Sequence, residues 1–132
     1  MQTNESEENY LEAILILSHN GQPIRSVDIA NELKYSRPSV SIAMKNLKSA
    51  GYILNDSNGY IKLTDSGSEI ASKIYDRHTM ISDWLIFLGV DKNVAVNDAC
   101  RIEHVISEQS YLAIKAHIED WKRDIYRQRV EK

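Results

Sequence analysis

The chain has 132 residues, room for one domain or two small ones sharing an interface, and its net charge of −3 excludes a uniformly basic, nucleic-acid-coating protein. A hydrophobic share of 42% is enough to bury a core, yet no apolar run approaches the roughly 18–20 residues of a membrane span. Cys100 is the sole cysteine, which rules out an internal disulfide, and the polar, acidic start Met1–Glu8 lacks the pattern of a signal peptide, so the chain reads as cytoplasmic with no membrane partner.

Glu5 to Ser18 predicts a helix with Tyr10, Leu11, Ile14, Leu15 and Leu17 as its apolar stripe, Asn4 or Ser6 as its cap, and Asn9 and Glu12 on its polar side. His19-Asn20-Gly21 ends it, and Pro23 blocks a restart. Ser26 then caps a second helix to about Leu33. After the Lys34-Tyr35 turn, Ser36-Arg37-Pro38-Ser39 opens a third, with Ser36 as N-cap and the proline where its missing N–H does no harm. Val40, Ala43, Met44 and Leu47 form its inner side, and Gly51 stops it. Two helices joined by a tight turn, the second polar and basic outside, make a helix-turn-helix.

Tyr52-Ile53-Leu54-Asn55 and Tyr60-Ile61-Lys62-Leu63 flank Asp56-Ser57-Asn58-Gly59, a β-hairpin signal that turns the unit into a winged helix. Gly21 to Leu63 carries Arg25, Lys34, Arg37, Lys45, Lys48 and Lys62 against Asp28, Glu32 and Asp56, so a basic segment sits inside an acidic protein. That is what a local DNA contact requires; a mixed solvated surface, or a winged helix serving protein interaction, produces it too.

Thr64 starts a long helix, Asp65 to about Leu88, carrying His78. Gly89-Val90-Asp91 breaks it, Val94 to Ser107 makes a fifth helix, and Glu108 to Arg129 a sixth with a basic end. In the fifth helix Cys100, Glu103 and His104 stand at i, i+3 and i+4, which puts a thiol, a carboxylate and an imidazole on one face. Those are metal-ligand types; the bland alternative is a buried cysteine beside a surface Glu-His pair. The expected fold is mostly α with a small β-hairpin wing: a winged helix-turn-helix domain at 1–72 and a helical domain at 73–132.

Asn97-Asp98-Ala99-Cys100-Arg101-Ile102-Glu103-His104-Val105-Ile106-Ser107 resembles the metal-binding helix of the diphtheria-toxin-repressor family of metal-dependent transcriptional regulators. Glu8-Asn9-Tyr10-Leu11-Glu12-Ala13-Ile14, Ser36-Arg37-Pro38-Ser39-Val40-Ser41, Leu63-Thr64-Asp65-Ser66-Gly67 and Arg77-His78 match in register. In length the chain is similar to the two-domain members without the SH3-like domain. The resemblance implies a homodimeric repressor of metal-uptake genes on double-stranded operator DNA. It implies Cys100, Glu103 and His104 as primary ligands, with Glu12 and His78 as ligands of a second or companion metal. Asn9 stands where iron-type members place Met and manganese-type members Asp. Ser82 and Val96 replace companion-site ligands of the iron type, and Cys100 replaces a carboxylate of the manganese type. A thiolate favours Fe(II), with Mn(II) close behind and Zn(II), Co(II) or Ni(II) as substitutes in vitro.

On the recognition helix, Ser36, Arg37, Pro38, Ser39 and Ser41 would face the major groove, with Lys45, Lys48 and Lys62 on phosphates. Ile42 departs from the glutamine of iron-type members, so the base preference should differ. No phosphate-cradling glycine loop, nucleophile-base pair or open zinc motif suggests an enzyme. The rivals are a metal-independent winged-helix regulator that senses redox through Cys100, and a winged-helix protein-interaction module.

Overall fold

The computed structural model describes residues 4–130, so the polar start at Met1–Thr3 lies outside the described residues. The element order is α1 (Glu5–Ser18), α2 (Ser26–Leu33), α3 (Arg37–Ser49), β1 (Ile53–Asn55), β2 (Ile61–Leu63), α4 (Asp65–Phe87), α5 (Lys92–Val105) and α6 (Glu108–Val130). The chain divides into two compact units, Met1–Tyr75 and Asp76–Lys132, with the division inside α4.

In the first unit Asn4 caps α1, its side chain accepting from the Glu7 N–H at 2.8 Å. Ser26, expected to cap α2, is instead its first residue, and Arg25 holds the cap position. The reason is Asp28, whose carboxylate reaches back to the Arg25 N–H at 2.8 Å and fixes the helix start one residue earlier. Lys34 ends α2 in the left-handed region, at φ 58°. Ser36 caps α3 as expected: its Oγ accepts from the Ser39 N–H at 3.3 Å and donates to the Ser39 Oγ at 2.8 Å. Gly51, at φ +85°, lets the chain reverse after α3, with Gly51 and Tyr52 N–H donating to the carbonyls of Lys48 and Leu47.

The hairpin is antiparallel, with Ile53 opposite Leu63 and Asn55 opposite Ile61. Asp56 organises its turn, accepting at one carboxylate oxygen from the N–H groups of Asn58 and Tyr60. The Ile61 N–H donates to the Ile24 carbonyl at 2.8 Å, which ties the wing to the strand-like segment before α2. Leu11, Ile14, Ile29, Val40, Leu47, Ile53, Ile61 and Ala71 build one core from all three helices, the hairpin and the start of α4. Thr64 joins hairpin to helix: its Oγ1 donates to the Gly51 carbonyl and accepts from the Gly67 N–H. Gly67 packs so closely that a Cβ there would overlap the Tyr52 backbone carbonyl.

In the second unit, α5 begins at Lys92, two residues before the expected Val94, because Asp91 caps it by accepting from the Asn93 N–H. It ends at Val105 and not Ser107, since Ile106 is already extended. Ser107 instead starts α6, its Oγ accepting from the Ser110 N–H. Phe87 meets Trp121 edge-to-face, with ring centroids 4.0 Å apart.

Candidate metal centre and nucleic-acid interface

The α5 residues at i, i+3 and i+4 converge. One ligand atom each from Cys100, Glu103 and His104 lies within 4.8 Å of the others. Their burial reverses the bland alternative: Cys100 is exposed, and Glu103 is 0% exposed. On α4, His78 faces the same carboxylate, its Nδ1 at 2.9 Å from Glu103 Oε2, while His104 Nε2 stands 3.3 Å from Glu103 Oε1.

A fully buried carboxylate is costly unless hydrogen bonds or a cation satisfy it. Among the described residues no hydrogen bond reaches either Glu103 oxygen, and an imidazole stands beside each of them. Cys100, Glu103 and His104 bring a thiol, a carboxylate and an imidazole together, and His78 meets the other oxygen of the same carboxylate, a donor set that suits divalent transition ions. The residues present fit such an ion.

Arg77, adjacent to His78, holds this arrangement, and nothing in the sequence spacing singled it out. It is 7% exposed and donates from one guanidinium nitrogen to the carbonyls of Glu103 and Ile106, each at 3.2 Å. The other nitrogen bonds the Glu108 carboxylate, and the guanidinium lies 4.9 Å from the centre of the Tyr111 ring. One side chain therefore anchors the end of α5, which carries Glu103 and His104, to α4 and α6. Beyond the Arg77-His78 match to the family, the signal was a charged residue facing inward on α4, legible once neighbouring helices are known.

Asn9 and Glu12 belong to α1 of the first unit. Asn9 is half-buried; Glu12, expected on the polar side, is among the buried residues of its helix. The i, i+3 spacing put it on the polar side with Asn9, but Tyr10 to Ile14 are all buried, so α1 is covered around more of its circumference than the apolar stripe implied.

The nucleic-acid candidates are all on the surface. Ser36, Arg37, Pro38, Ser39, Ser41, Lys45 and Lys48 are exposed along α3, and the Lys62 side chain is 64% exposed on the wing. The Ser36 and Ser39 hydroxyls are bonded to each other at the helix cap, which leaves Arg37 and Ser41 as the freer hydrogen-bonding groups. A cleft of about 220 Å³ between α2, α3 and the wing is lined by Ser26, Ser41, Lys45, Lys48 and Asn55. Arg25 was not among the expected contacts. Its guanidinium donates to the Tyr60 hydroxyl of the wing at 3.2 Å, a bond that holds its pKa above the ordinary arginine value.

Residues 2–64 match the family model described as "Iron dependent repressor, N-terminal DNA binding domain". Residues 64–130 match "Iron dependent repressor, metal binding and dimerisation domain". The chain belongs to the iron-dependent-repressor family of metal-dependent transcriptional regulators. An uncharacterized HTH-type transcriptional regulator of Methanocaldococcus jannaschii is 35% identical over 121 residues, covering 90% of this chain and 97% of that one. The transcriptional regulator MntR of Salmonella typhimurium is 32% identical over 109 residues, 83% of this chain and 69% of that one. Among solved structures, that of the manganese regulator SloR superposes with a TM-score of 0.78 at 28% identity, over 90% of this chain. The chain spans about half, 55%, of that structure's length. The family is one of transcriptional regulators, not enzymes. No helix among the described residues is long and apolar enough to cross a membrane.

Proposed function

We propose that the chain is a repressor whose grip on operator DNA depends on a divalent metal ion, Fe(II) by preference and Mn(II) next, controlling metal-uptake genes. The observation that carries the proposal is the buried Glu103 carboxylate with His78, His104 and Cys100 around it. Cys100, Glu103 and His104 are the primary ligands; His78 and Glu12 serve a second ion or complete the first, and Asn9 adds an amide oxygen. A bound divalent ion supplies positive charge to Glu103 and cross-links ligands that come from separate helices. The thiol of Cys100 is what tilts the preference toward Fe(II) over Mn(II), with Zn(II), Co(II) and Ni(II) as substitutes. The manganese named for the SloR relative keeps Mn(II) as the second choice.

We assign residues 1–72 to DNA binding and 73–132 to metal binding and dimerisation. Arg37 reads bases with Ser39 and Ser41, while Lys45, Lys48 and Lys62 contact phosphates and set register. A homodimer places two such helices on half-sites about one DNA turn apart. Phe87 (58% exposed), Leu88 (60%), Val105 (78%) and Leu112 (50%) supply apolar surface for that pairing. The compartment we assign is the cytoplasm.

The ligand set is tested by titrating the metal-free protein with Co(II) and following its absorption. Wild type should show a thiolate-to-metal charge-transfer band, absent in Cys100→Ser, and Glu103→Gln should bind at least about tenfold more weakly. Tight Co(II) binding by both variants with unaltered spectra would refute the assignment.

A further inference from the structure

Val40, Met44 and Leu47 face the core on α3. With about 100° between successive helical residues, Pro38, Ile42, Lys45 and Ser49 take the opposite side. Ile42 lies near the centre of that side and is 62% exposed. A large apolar side chain there lies outside the core of the first unit. Apart from Pro38 one turn before it, the exposed residues around it are polar or basic: Ser39, Ser41, Lys45 and Ser49. The β-branch restricts its rotamers, so little side-chain freedom is lost when something packs on it.

We infer that Ile42 is a specificity-determining residue that packs against the C5-methyl group of a thymine in the major groove. The inference rests on the DNA-binding reading of α3. The thymine methyl is the apolar group that base edges offer in that groove. Ile42 has no side-chain donor or acceptor, so it distinguishes bases through that methyl alone. A cytosine amino group or a guanine carbonyl in its place would lose water without gaining a partner, which disfavours those bases. Arg37 and the serines supply hydrogen bonds, and Lys45 and Lys48 the phosphate contacts, so Ile42 adds a selection that none of these polar and basic residues makes; Pro38 is the other apolar group on that side.

The test uses the full chain with Mn(II) and a duplex selected by it from a random-sequence pool. That duplex is resynthesised with deoxyuridine replacing each thymine in turn, which removes one methyl and keeps every hydrogen-bonding group. Wild type should lose about fourfold in affinity at one or more thymines of a half-site, the worth of burying one methyl-sized group. Ile42→Ala should be indifferent at those positions, and Ile42→Val should retain the effect. Both variants should unfold at the wild-type urea midpoint because the side chain is exposed. A flat uracil scan with wild type, or an effect undiminished in Ile42→Ala, overturns the inference while DNA binding stands. Failure to select any duplex overturns the DNA-binding reading and this inference with it.

Discussion

Replacing Arg77 by Met should loosen the metal centre without touching a ligand. The guanidinium makes two hydrogen bonds to the Glu103 and Ile106 carbonyls and a third to Glu108. A hydrogen bond from a charged donor contributes about 1.5–3 kcal/mol, and the lower end suits bonds as long as 3.2 Å. The Glu108 side chain is 49% exposed, so that ion pair adds about 1 kcal/mol at most. Methionine keeps much of the volume and the contact with Tyr111 but leaves two carbonyls at the end of α5 unsatisfied. The expected loss is about 3–4 kcal/mol, read as a urea midpoint lowered by about 1–3 M. The metal-binding constant, measured by calorimetry below the unfolding range, should fall about 10- to 100-fold because Glu103 and His104 ride on the freed segment. Arg77→Lys should rescue neither readout, since one ammonium cannot reach two carbonyls and a carboxylate in the same geometry. A variant with wild-type stability and metal affinity would refute the role given to Arg77.

Glu103→Gln removes a buried anion at nearly constant volume, so the metal-free variant should be at least as stable as wild type. With ion at 100 times its Kd, wild type gains about 2.7 kcal/mol and the variant, binding at least about tenfold more weakly, should gain about 1.4 kcal/mol or less, by thermal unfolding with and without metal; an undiminished gain would count against Glu103 as a ligand. Gly67→Ala places a Cβ against the Tyr52 carbonyl and should destabilise the first unit by about 3 kcal/mol in urea unfolding. Lys45→Gln should lower the slope of log affinity against log salt by about 1 and leave the selected DNA sequence unchanged.

Local chemistry made much of the fold legible. Asn4 and Ser36 act as caps where their side chains precede apolar helical periods, and Asp56 to Gly59 forms the turn its composition announces. The spacing of Cys100, Glu103 and His104 placed their ligand atoms together because a helix alone enforces that geometry. What was hidden depends on neighbours distant in the chain. One exception is local: Asp28 moved the cap of α2 from Ser26 to Arg25, because a carboxylate three residues on captured the free N–H. Burial of Glu103 against His78 of α4, and exposure of Cys100, are facts that periodicity within α5 cannot state. Arg77 reads as surface charge until its carbonyl acceptors, 26 and 29 residues away, are brought to it.

The most direct test of metal-dependent repression is the affinity of the full chain for a selected duplex, measured by fluorescence anisotropy with Fe(II) under anaerobic conditions, with Mn(II), and with excess chelator. The account predicts binding about 10- to 100-fold tighter with either ion than with chelator, the range of ordinary coupling between two sites. Affinity unchanged by chelator, but altered by an oxidant that Cys100→Ser renders ineffective, would contradict it and favour a thiol sensor.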